Sequence, residues 1–92
     1  MQFEWDENKN IENIRGHKLD FADVPSMFDA PMIIEVDERE EYGETRYIAI
    51  GMLRNIIVVV VFTEREEDVI RIISARKAYK HERQRYEQGI AY

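Results

Sequence analysis

Residues 55–78, NIIVVVVFTEREEDVIRIISARKA, decide the fold of this chain. Ile56 to Thr63 is an unbroken apolar and β-branched run, too short to cross a membrane and suited to a buried strand. Glu64 to Asp68 is a charged break, and Val69 to Arg76 resumes the β-branched pattern, so the two runs predict an antiparallel hairpin. Because both alternating faces of the first run are largely apolar, we expect this hairpin to be the centre of a sheet that is covered on both sides.

The helices expected to cover the sheet lie on either side of it in the chain. Asp6 is a good N-cap for a first helix, and Gly16 is the residue at which that helix is expected to stop. Asp20 starts a second, short helical segment. The strong helix formers after Ala78 predict a C-terminal helix that ends at Gly89.

The remaining segments predict shorter strands and one loop. Phe3 and Trp5 alternate with polar residues, which is typical of a short edge strand. Met32 to Val36 and Thr45 to Ile50 are further strand candidates, and the acidic stretch Asp37 to Glu44 between them is predicted to be a solvated loop. We therefore predict an α+β fold with N-terminal helices, an antiparallel sheet of about four strands and a C-terminal helix.

Length and composition limit the class of protein. A chain of 92 residues is expected to form one domain over residues 1–92. It has no cysteine, which excludes disulfides and thiolate metal sites, and we predict neither a metal nor a cofactor. No segment resembles a signal peptide or approaches about 20 apolar residues, so we expect a cytoplasmic protein with no membrane partner.

The net charge of −6 argues at first against a nucleic-acid partner, but the charge is unevenly distributed. Residues 1–44 contain 13 acidic and 4 basic side chains, a net of −9, whereas residues 45–92 contain 6 acidic and 9 basic ones, a net of +3. A local basic face is therefore compatible with the composition.

The candidate catalytic side chains are cationic or titratable, which suits phosphodiester chemistry. Metal-free RNA cleavage proceeds by attack of the 2′-hydroxyl on the adjacent phosphate, and it needs a base, an acid and cations on the transition state. Imidazole transfers protons near neutral pH, and guanidinium groups match phosphate oxygens. The candidates are His17, Lys18, Arg46, Arg65, Arg71, Arg76, Lys77, Lys80, His81 and Arg83.

Each candidate also has a purely structural interpretation. On composition alone, Arg65, flanked by three glutamates, is more simply a solvated turn residue, and His17 is more simply a residue that stabilises a helix C-terminus. The cations after Ala78 are most simply a solvated helix face, and in the functional interpretation they follow an RNA backbone. Arg76 directly continues an apolar strand, which favours a partly desolvated position at a sheet edge or cleft. Strict alternation places Arg71 and Arg76 on opposite faces unless a bulge intervenes.

In sequence order, several motifs resemble those of the BrnT family of bacterial type II toxins, over nearly the whole chain. The most specific are Thr63-Glu64-Arg65 and the run from Arg71 to Ala78. The others are Phe3-Glu4-Trp5-Asp6, Lys9, Asn13, His17, Phe21, Phe28-Asp29, Gly43-Glu44, Arg46, Gly51, Glu82-Arg83 and Tyr86. The resemblance implies a RelE-like toxin fold, in agreement with the pattern of strands and helices.

The resemblance also implies a function. Such toxins cleave RNA, arrest growth and are neutralised by a BrnA-like antitoxin, whose ribbon-helix-helix part binds operator DNA and represses the operon together with the toxin. Carried over to this chain, His17 becomes the acid or base, and Arg65 and Arg76 become the catalytic groups on the phosphate. The substrate-binding candidates are Lys18, Arg46, Lys77, Lys80 and Arg83.

A second interpretation is a catalytically inactive, toxin-like binding module that acts as antitoxin partner and co-repressor. The acidic loop Asp37 to Glu44 favours it as a docking surface for a basic partner, and so does Gly16, which stands where family members commonly have a basic residue. The intact Thr63-Glu64-Arg65 and Ser74-Ala75-Arg76-Lys77 motifs favour the ribonuclease.

Overall fold

The computed structural model describes residues 1–90, which form a five-stranded sheet with helices on both faces. The predicted α+β class is confirmed. Among the described residues, no helix is long and apolar enough to span a bilayer. The elements in chain order are β1 (Gln2–Trp5), α1 (Glu7–His17), a 3₁₀ helix (Phe21–Asp29), β2 (Ile33–Val36), β3 (Tyr47–Leu53), β4 (Ile56–Glu66), β5 (Val69–Lys77) and α2 (Lys80–Ile90).

The sheet has the strand order β1-β5-β4-β3-β2. The structure differs from the prediction of about four antiparallel strands in detail, because there are five strands and β1 runs parallel to β5. In that pair Gln2 lies opposite Val69 and Trp5 lies opposite Ile72. Alternation identifies an edge strand, but it contains no information about the direction of the strand beside it.

The turn between β4 and β5 is shorter than the predicted break Glu64 to Asp68, and the turn between β3 and β4 is equally short. β3 continues to Leu53 and β4 continues to Glu66, so each turn is reduced to two residues. Arg54 and Asp68, one in each turn, have φ angles of 55° and 69°. Such left-handed backbone is typical of two-residue hairpin turns, whose twist matches that of the strands.

The predicted N-caps are confirmed, and the predicted helix ends are not. The carboxylate of Asp6 accepts hydrogen bonds from backbone N–H groups of the first turn of α1, and Asp20 does the same for the 3₁₀ helix. α1 ends at His17 rather than at Gly16, because Lys18 takes the left-handed conformation with φ 61°. Gly89 lies inside α2 rather than after it.

β4 is buried on both faces, as predicted. On the face covered by α1 and the 3₁₀ helix, called here the α1 face, Phe21 and Met27 pack on the β4 side chains Val58 and Val60. On the opposite α2 face, the other β4 side chains pack on α2. The buried cluster of that face comprises Ile50, Ile57, Val59, Ala78 and Tyr86. Burial of each such large apolar side chain contributes about 1.5–3 kcal/mol to folding.

A bulge in β5 brings its two arginines to the same face. The pairing of β4 with β5 shifts by one residue at Ile73. On one side of the shift Arg71 lies opposite Thr63, and on the other side Arg76 lies opposite Val59. Because these two β4 residues are four apart, both arginines lie on the α2 face. The bulge that the sequence analysis required for Arg71 and Arg76 to share a surface is therefore present.

Candidate active site

The side chain of Asn13 fixes α1 against β5. Its Nδ2 donates to the carbonyl oxygens of Leu19 (3.0 Å) and Ala75 (2.9 Å), and its Oδ1 accepts the N–H of Ala75 (3.1 Å). Ala75 immediately precedes Arg76, and His17 lies one helical turn after Asn13. This buried asparagine therefore brings the end of α1 to the end of β5 that holds Arg76.

A groove of about 310 Å³ lies between the end of α1 and the end of β5, and it is called here the His17 groove. It brings together four of the side chains predicted from the sequence. These are His17, Lys18, Arg76 and Lys77, and Tyr79 lines the groove beside them. The cluster is cationic and open to solvent, because His17, Lys18 and Lys77 are all exposed.

Arg76 is held rigidly within this cluster. Its Nη1 and Nη2 donate to the two carboxylate oxygens of Glu82 at 2.8 and 2.9 Å, and Nη1 also donates to the carbonyl oxygen of Lys77 at 3.3 Å. Its Cζ lies 4.1 Å from the centre of the Tyr79 ring. The hydrogen bonds and the charge of Glu82 raise the pKa of Arg76, and the same bonds lower the pKa of Glu82. Arg76 is thus a fixed, permanent cation.

Glu82 has a second role at the start of α2. Its Oε1 accepts the backbone N–H of Tyr79 at 2.7 Å, which is the acidic half of a capping box. Glu82 therefore links the guanidinium of Arg76 to the first turn of α2, so the position of that turn determines the position of the guanidinium.

A second groove, of about 290 Å³, lies over the α2 face and is called here the α2 groove. Arg76 lines it as well as the His17 groove. The other basic residues that line it are Arg39, His81 and Arg85, and Glu35 and Glu82 line it beside them. Arg85 donates to both carboxylate oxygens of Glu35, at 3.1 and 2.9 Å. The groove thus collects basic groups from β5, α2 and the loop after β2.

The loop after β2 is anchored by a buried acid. Asp37 is only 5 % exposed, so the prediction that the whole segment from Asp37 is solvated is wrong at this residue. Its carboxylate accepts bonds from Arg39 Nε (2.8 Å) and Nη2 (2.7 Å) and from the hydroxyl of Tyr42 (3.0 Å). The hydrogen bonds from Arg39 hold the pKa of Asp37 far below its usual range, in spite of burial. In the balance that sets this pKa, the hydrogen bonds from Arg39 and Tyr42 outweigh the desolvation of the carboxylate.

Arg65 and Arg46 lie at the other end of the sheet. Both face the carboxylate of Glu44, with N···O distances of 3.8 Å from Arg65 and 3.2 Å from Arg46. Arg76 lies opposite Val59, and Arg65 is six residues further along β4, so the two arginines are separated by about 20 Å. The structure does not bring Arg65 together with the His17 groove.

Three further predicted cations line neither groove: Arg71, which is paired with Glu4, and Lys80 and Arg83 on α2. Lys80 is exposed in the first turn. Arg83 donates from Nη1 to the carbonyl oxygen of Ala78 at 2.9 Å, so it closes the connection between β5 and α2.

Sequence reasoning missed most of the α2 groove. Arg39 and Arg85 were not candidates, and His81 was a candidate whose structural interpretation was a solvated helix face. The spacing of His81 and Arg85, four residues apart on a helix, is a signal that indicates a shared side. The contribution of Arg39 had no sequence signal, because it depends on the burial of its neighbour Asp37.

Comparison with known proteins agrees with this architecture. A family model described as "Ribonuclease toxin, BrnT, of type II toxin-antitoxin system" matches residues 5–82. Among solved structures, the crystal structure of the Brucella abortus ribonuclease toxin BrnT is similar, with a TM-score of 0.65 and 31% sequence identity. The match covers 87% of this chain and 99% of that chain. The comparison with curated proteins gave no match.

The fold and the family match together define a ribonuclease toxin. More particularly, the chain belongs to the BrnT family of type II toxin–antitoxin systems, as its motifs predicted. Membership of such a system implies an antitoxin as partner.

Proposed function

We propose that this protein is a metal-independent RNA endonuclease that arrests bacterial growth. It acts on RNA in the cytoplasm. A BrnA-like antitoxin with a ribbon-helix-helix part neutralises it. The protein itself does not bind operator DNA and is recruited there only by this antitoxin. The observation that supports cleavage most strongly is the position of Arg76, which lines two grooves and is oriented by Glu82.

The proposed reaction is attack of a ribose 2′-hydroxyl on the adjacent phosphorus. The 2′-O–P bond forms, the P–O5′ bond breaks, and the products end in a 2′,3′-cyclic phosphate and a 5′-hydroxyl. His17 transfers a proton as base or acid, and Lys18 and Lys77 bind neighbouring phosphates. Guanidinium and ammonium groups stabilise the negative charge of the transition state, so the reaction needs no metal.

Arg76 retains donors for a phosphate while it is bound to Glu82. A guanidinium has five N–H groups, and the hydrogen bonds to Glu82 and Lys77 use three of them. Two N–H groups are thus left for non-bridging phosphate oxygens. Arg65 and Arg46 bind the RNA backbone away from the cleaved bond in this proposal, because about 20 Å separates Arg65 from Arg76.

A second candidate function is the inactive binding module, in which the protein is only antitoxin partner and co-repressor. The observation that favours it is that three guanidinium groups of the α2 groove are already paired with carboxylates. These pairs are Arg39 with Asp37, Arg76 with Glu82 and Arg85 with Glu35. An RNA phosphate must compete with these acids.

The experiment that distinguishes the two functions is induced expression of the chain alone in bacteria, with growth and RNA integrity as readouts. His17→Ala, Arg65→Ala and Arg76→Ala are compared with the wild type after their folding has been confirmed by circular dichroism. Arg54→Ala is the matched control, because Arg54 is an exposed arginine whose side chain is 75% accessible. The proposal predicts growth arrest and RNA fragments for the wild type and the control.

The variants resolve the roles of the site residues. Arg76→Ala and His17→Ala should lower cleavage by about 100-fold or more, the usual effect of removing an acid–base or charge-stabilising group. Arg65→Ala should weaken RNA binding with a smaller effect on the rate at saturating RNA. Purified protein should retain cleavage in EDTA. Intact RNA and normal growth with soluble, folded wild type would instead favour the binding module.

The antitoxin is tested separately. Co-expression with a ribbon-helix-helix protein from the neighbouring gene should restore growth, and the two chains should co-purify. Operator DNA should be retarded by the antitoxin alone and by the complex, but not by this chain alone.

A further inference from the structure

We infer that the α2 groove holds the scissile phosphodiester of the RNA, and that His81 is a catalytic residue that protonates the departing 5′-oxygen. The inference rests on the proposed RNA cleavage, and it assigns the site of that reaction to the α2 face of the sheet. It also gives a role to the second of the two histidines in the chain.

The groove presents three guanidinium groups to an entering anion. They belong to Arg39, Arg76 and Arg85, and each is paired with one carboxylate, from Asp37, Glu82 and Glu35 respectively. The formal charges of these three pairs cancel, whereas the net charge of the whole chain is −6. The groove therefore lacks the excess of negative charge found elsewhere, and its guanidinium groups retain N–H donors that attract a phosphate.

The floor of the groove strengthens that attraction. It is formed by aliphatic side chains of the sheet, among them Ile50 and Val59, which are 3% exposed. A low-dielectric floor increases the interaction of a bound phosphate with the surrounding guanidinium groups. Ser74 also lines the groove and presents a hydroxyl there.

The groove donors are positioned before any ligand arrives. Arg76 lies on the α2 face, where Glu82 orients its fork. Arg85 is oriented in the same way by Glu35, although both side chains of that pair are about half exposed and their pairing is correspondingly weak. An entering phosphate can thus displace Glu35 from Arg85 at low cost while Arg76 stays in place.

His81 lines the same groove as Arg76 and Arg85. It is the second residue of α2, its ring centre lies 6.1 Å from that of Tyr79, and it lines the groove on the same side of the helix as Arg85. Tyr79 in turn lies under the guanidinium of Arg76. Among the residues that line the groove, the imidazole of His81 is the group best suited to transfer protons near neutral pH.

The proton balance of the step is complete. The 2′-oxygen bonds to phosphorus and its proton leaves to His17, which is then the base of the proposed reaction and lines the neighbouring groove that shares Arg76 with this one; His17 returns this proton to water. The imidazolium of His81 gives its proton to the 5′-oxygen as the P–O5′ bond breaks, and the neutral imidazole takes up a proton from water before the next turnover. Glu82 is a positioning residue here, since it acts through Arg76.

The first test is binding, and it does not require activity. The wild-type protein is titrated with a short 2′-O-methyl RNA oligonucleotide, which cannot be cleaved, while the histidine ring signals are followed by NMR. The His81 signal is assigned from its loss in His81→Ala. We expect this signal to shift on titration and inorganic phosphate to compete with the oligonucleotide. A stationary His81 signal under saturating binding would overturn the inference.

The second test is kinetic. His81→Ala should lower RNA cleavage by about 100-fold or more, whereas Gln84→Ala, an exposed replacement on the same helix, should leave the rate unchanged. An RNA with sulfur in place of the 5′-oxygen at the mapped cleavage site needs no acid, because thiolate leaves unprotonated. His81→Ala should cleave that substrate within about tenfold of the wild-type rate.

The two tests separate failure of the site from failure of the function. Wild-type cleavage with an unimpaired His81→Ala variant would overturn the role of His81 and leave the proposed ribonuclease intact. A folded wild type that cleaves no RNA would overturn the proposed function and the proton transfer together. In that case a shift of the His81 signal would show that the groove binds nucleic acid without cleaving it.

Discussion

Replacing Asn13 by alanine removes the hydrogen bonds that join α1 to β5. In these bonds Asn13 contacts Ala75, which lies 62 residues further along the chain. The substitution deletes three hydrogen bonds and leaves three backbone groups without their partner, the N–H and C=O of Ala75 and the C=O of Leu19. Asn13 is 7% exposed, so water replaces these bonds poorly. Each lost bond costs about 1 kcal/mol, and each buried group left unsatisfied costs about 1–3 kcal/mol.

Allowing for partial access of water, we expect Asn13→Ala to lower the free energy of unfolding by about 3–5 kcal/mol, which is a large part of the about 5–15 kcal/mol of a typical domain. Urea unfolding followed by circular dichroism measures the change. Asn8→Ala is the matched control, because Asn8 is exposed on the same helix. We expect it to change stability by less than about 0.5 kcal/mol. A loss below about 1 kcal/mol for Asn13→Ala would refute the reasoning that buried hydrogen bonds hold α1 to β5.

Three further predictions concern other parts of the structure. Because pairing with Arg39 lowers the folded-state pKa of Asp37, its stabilisation is complete at neutral pH and declines as pH falls below about 4. Thermal melts of Asp37→Asn and wild type should therefore differ at pH 7 and converge towards pH 2. Glu82→Ala removes both bonds to Arg76 and the cap of α2, and should cost about 2–3 kcal/mol in urea unfolding; an unchanged midpoint would contradict the capping role. Gly51→Leu should lower stability by about 1–3 kcal/mol in the same assay, because a Cβ there lies 2.8 Å from a methionine side chain; a stabilised variant would contradict the close packing.

The sequence predicted those features that depend on local patterns. The buried run from Ile56 identified the central strand, and Asp6 and Asp20 identified the starts of two helical segments, because capping and burial act within a few residues. The parallel pairing of β1 could not be predicted in this way. It depends on which sheet edge is open after the rest of the chain has folded.

The candidate site was predictable only in part. The position of Arg76 after an apolar strand indicated a partly buried cation, and its side chain is 26% exposed. The bulge at Ile73 had no sequence signal, yet it decides that Arg71 shares a face with Arg76. The distance to Arg65 depends on the strand register, which alternation alone does not fix. The resemblance implied that Arg65 and Arg76 act on the same phosphate, but the two residues lie at opposite ends of the sheet.

The pairing of β1 with β5 has a consequence for the order of events during synthesis. Gln2 is translated before its partner Val69, which follows 67 residues later. At about 5–20 residues per second, β1 waits roughly 3–13 s for the strand beside it. Asn13 waits almost as long for Ala75, which is 62 residues away. The end of α1 and the arginine of β5 therefore meet only when translation has passed Arg76, so the nascent toxin has no assembled His17 groove before that point.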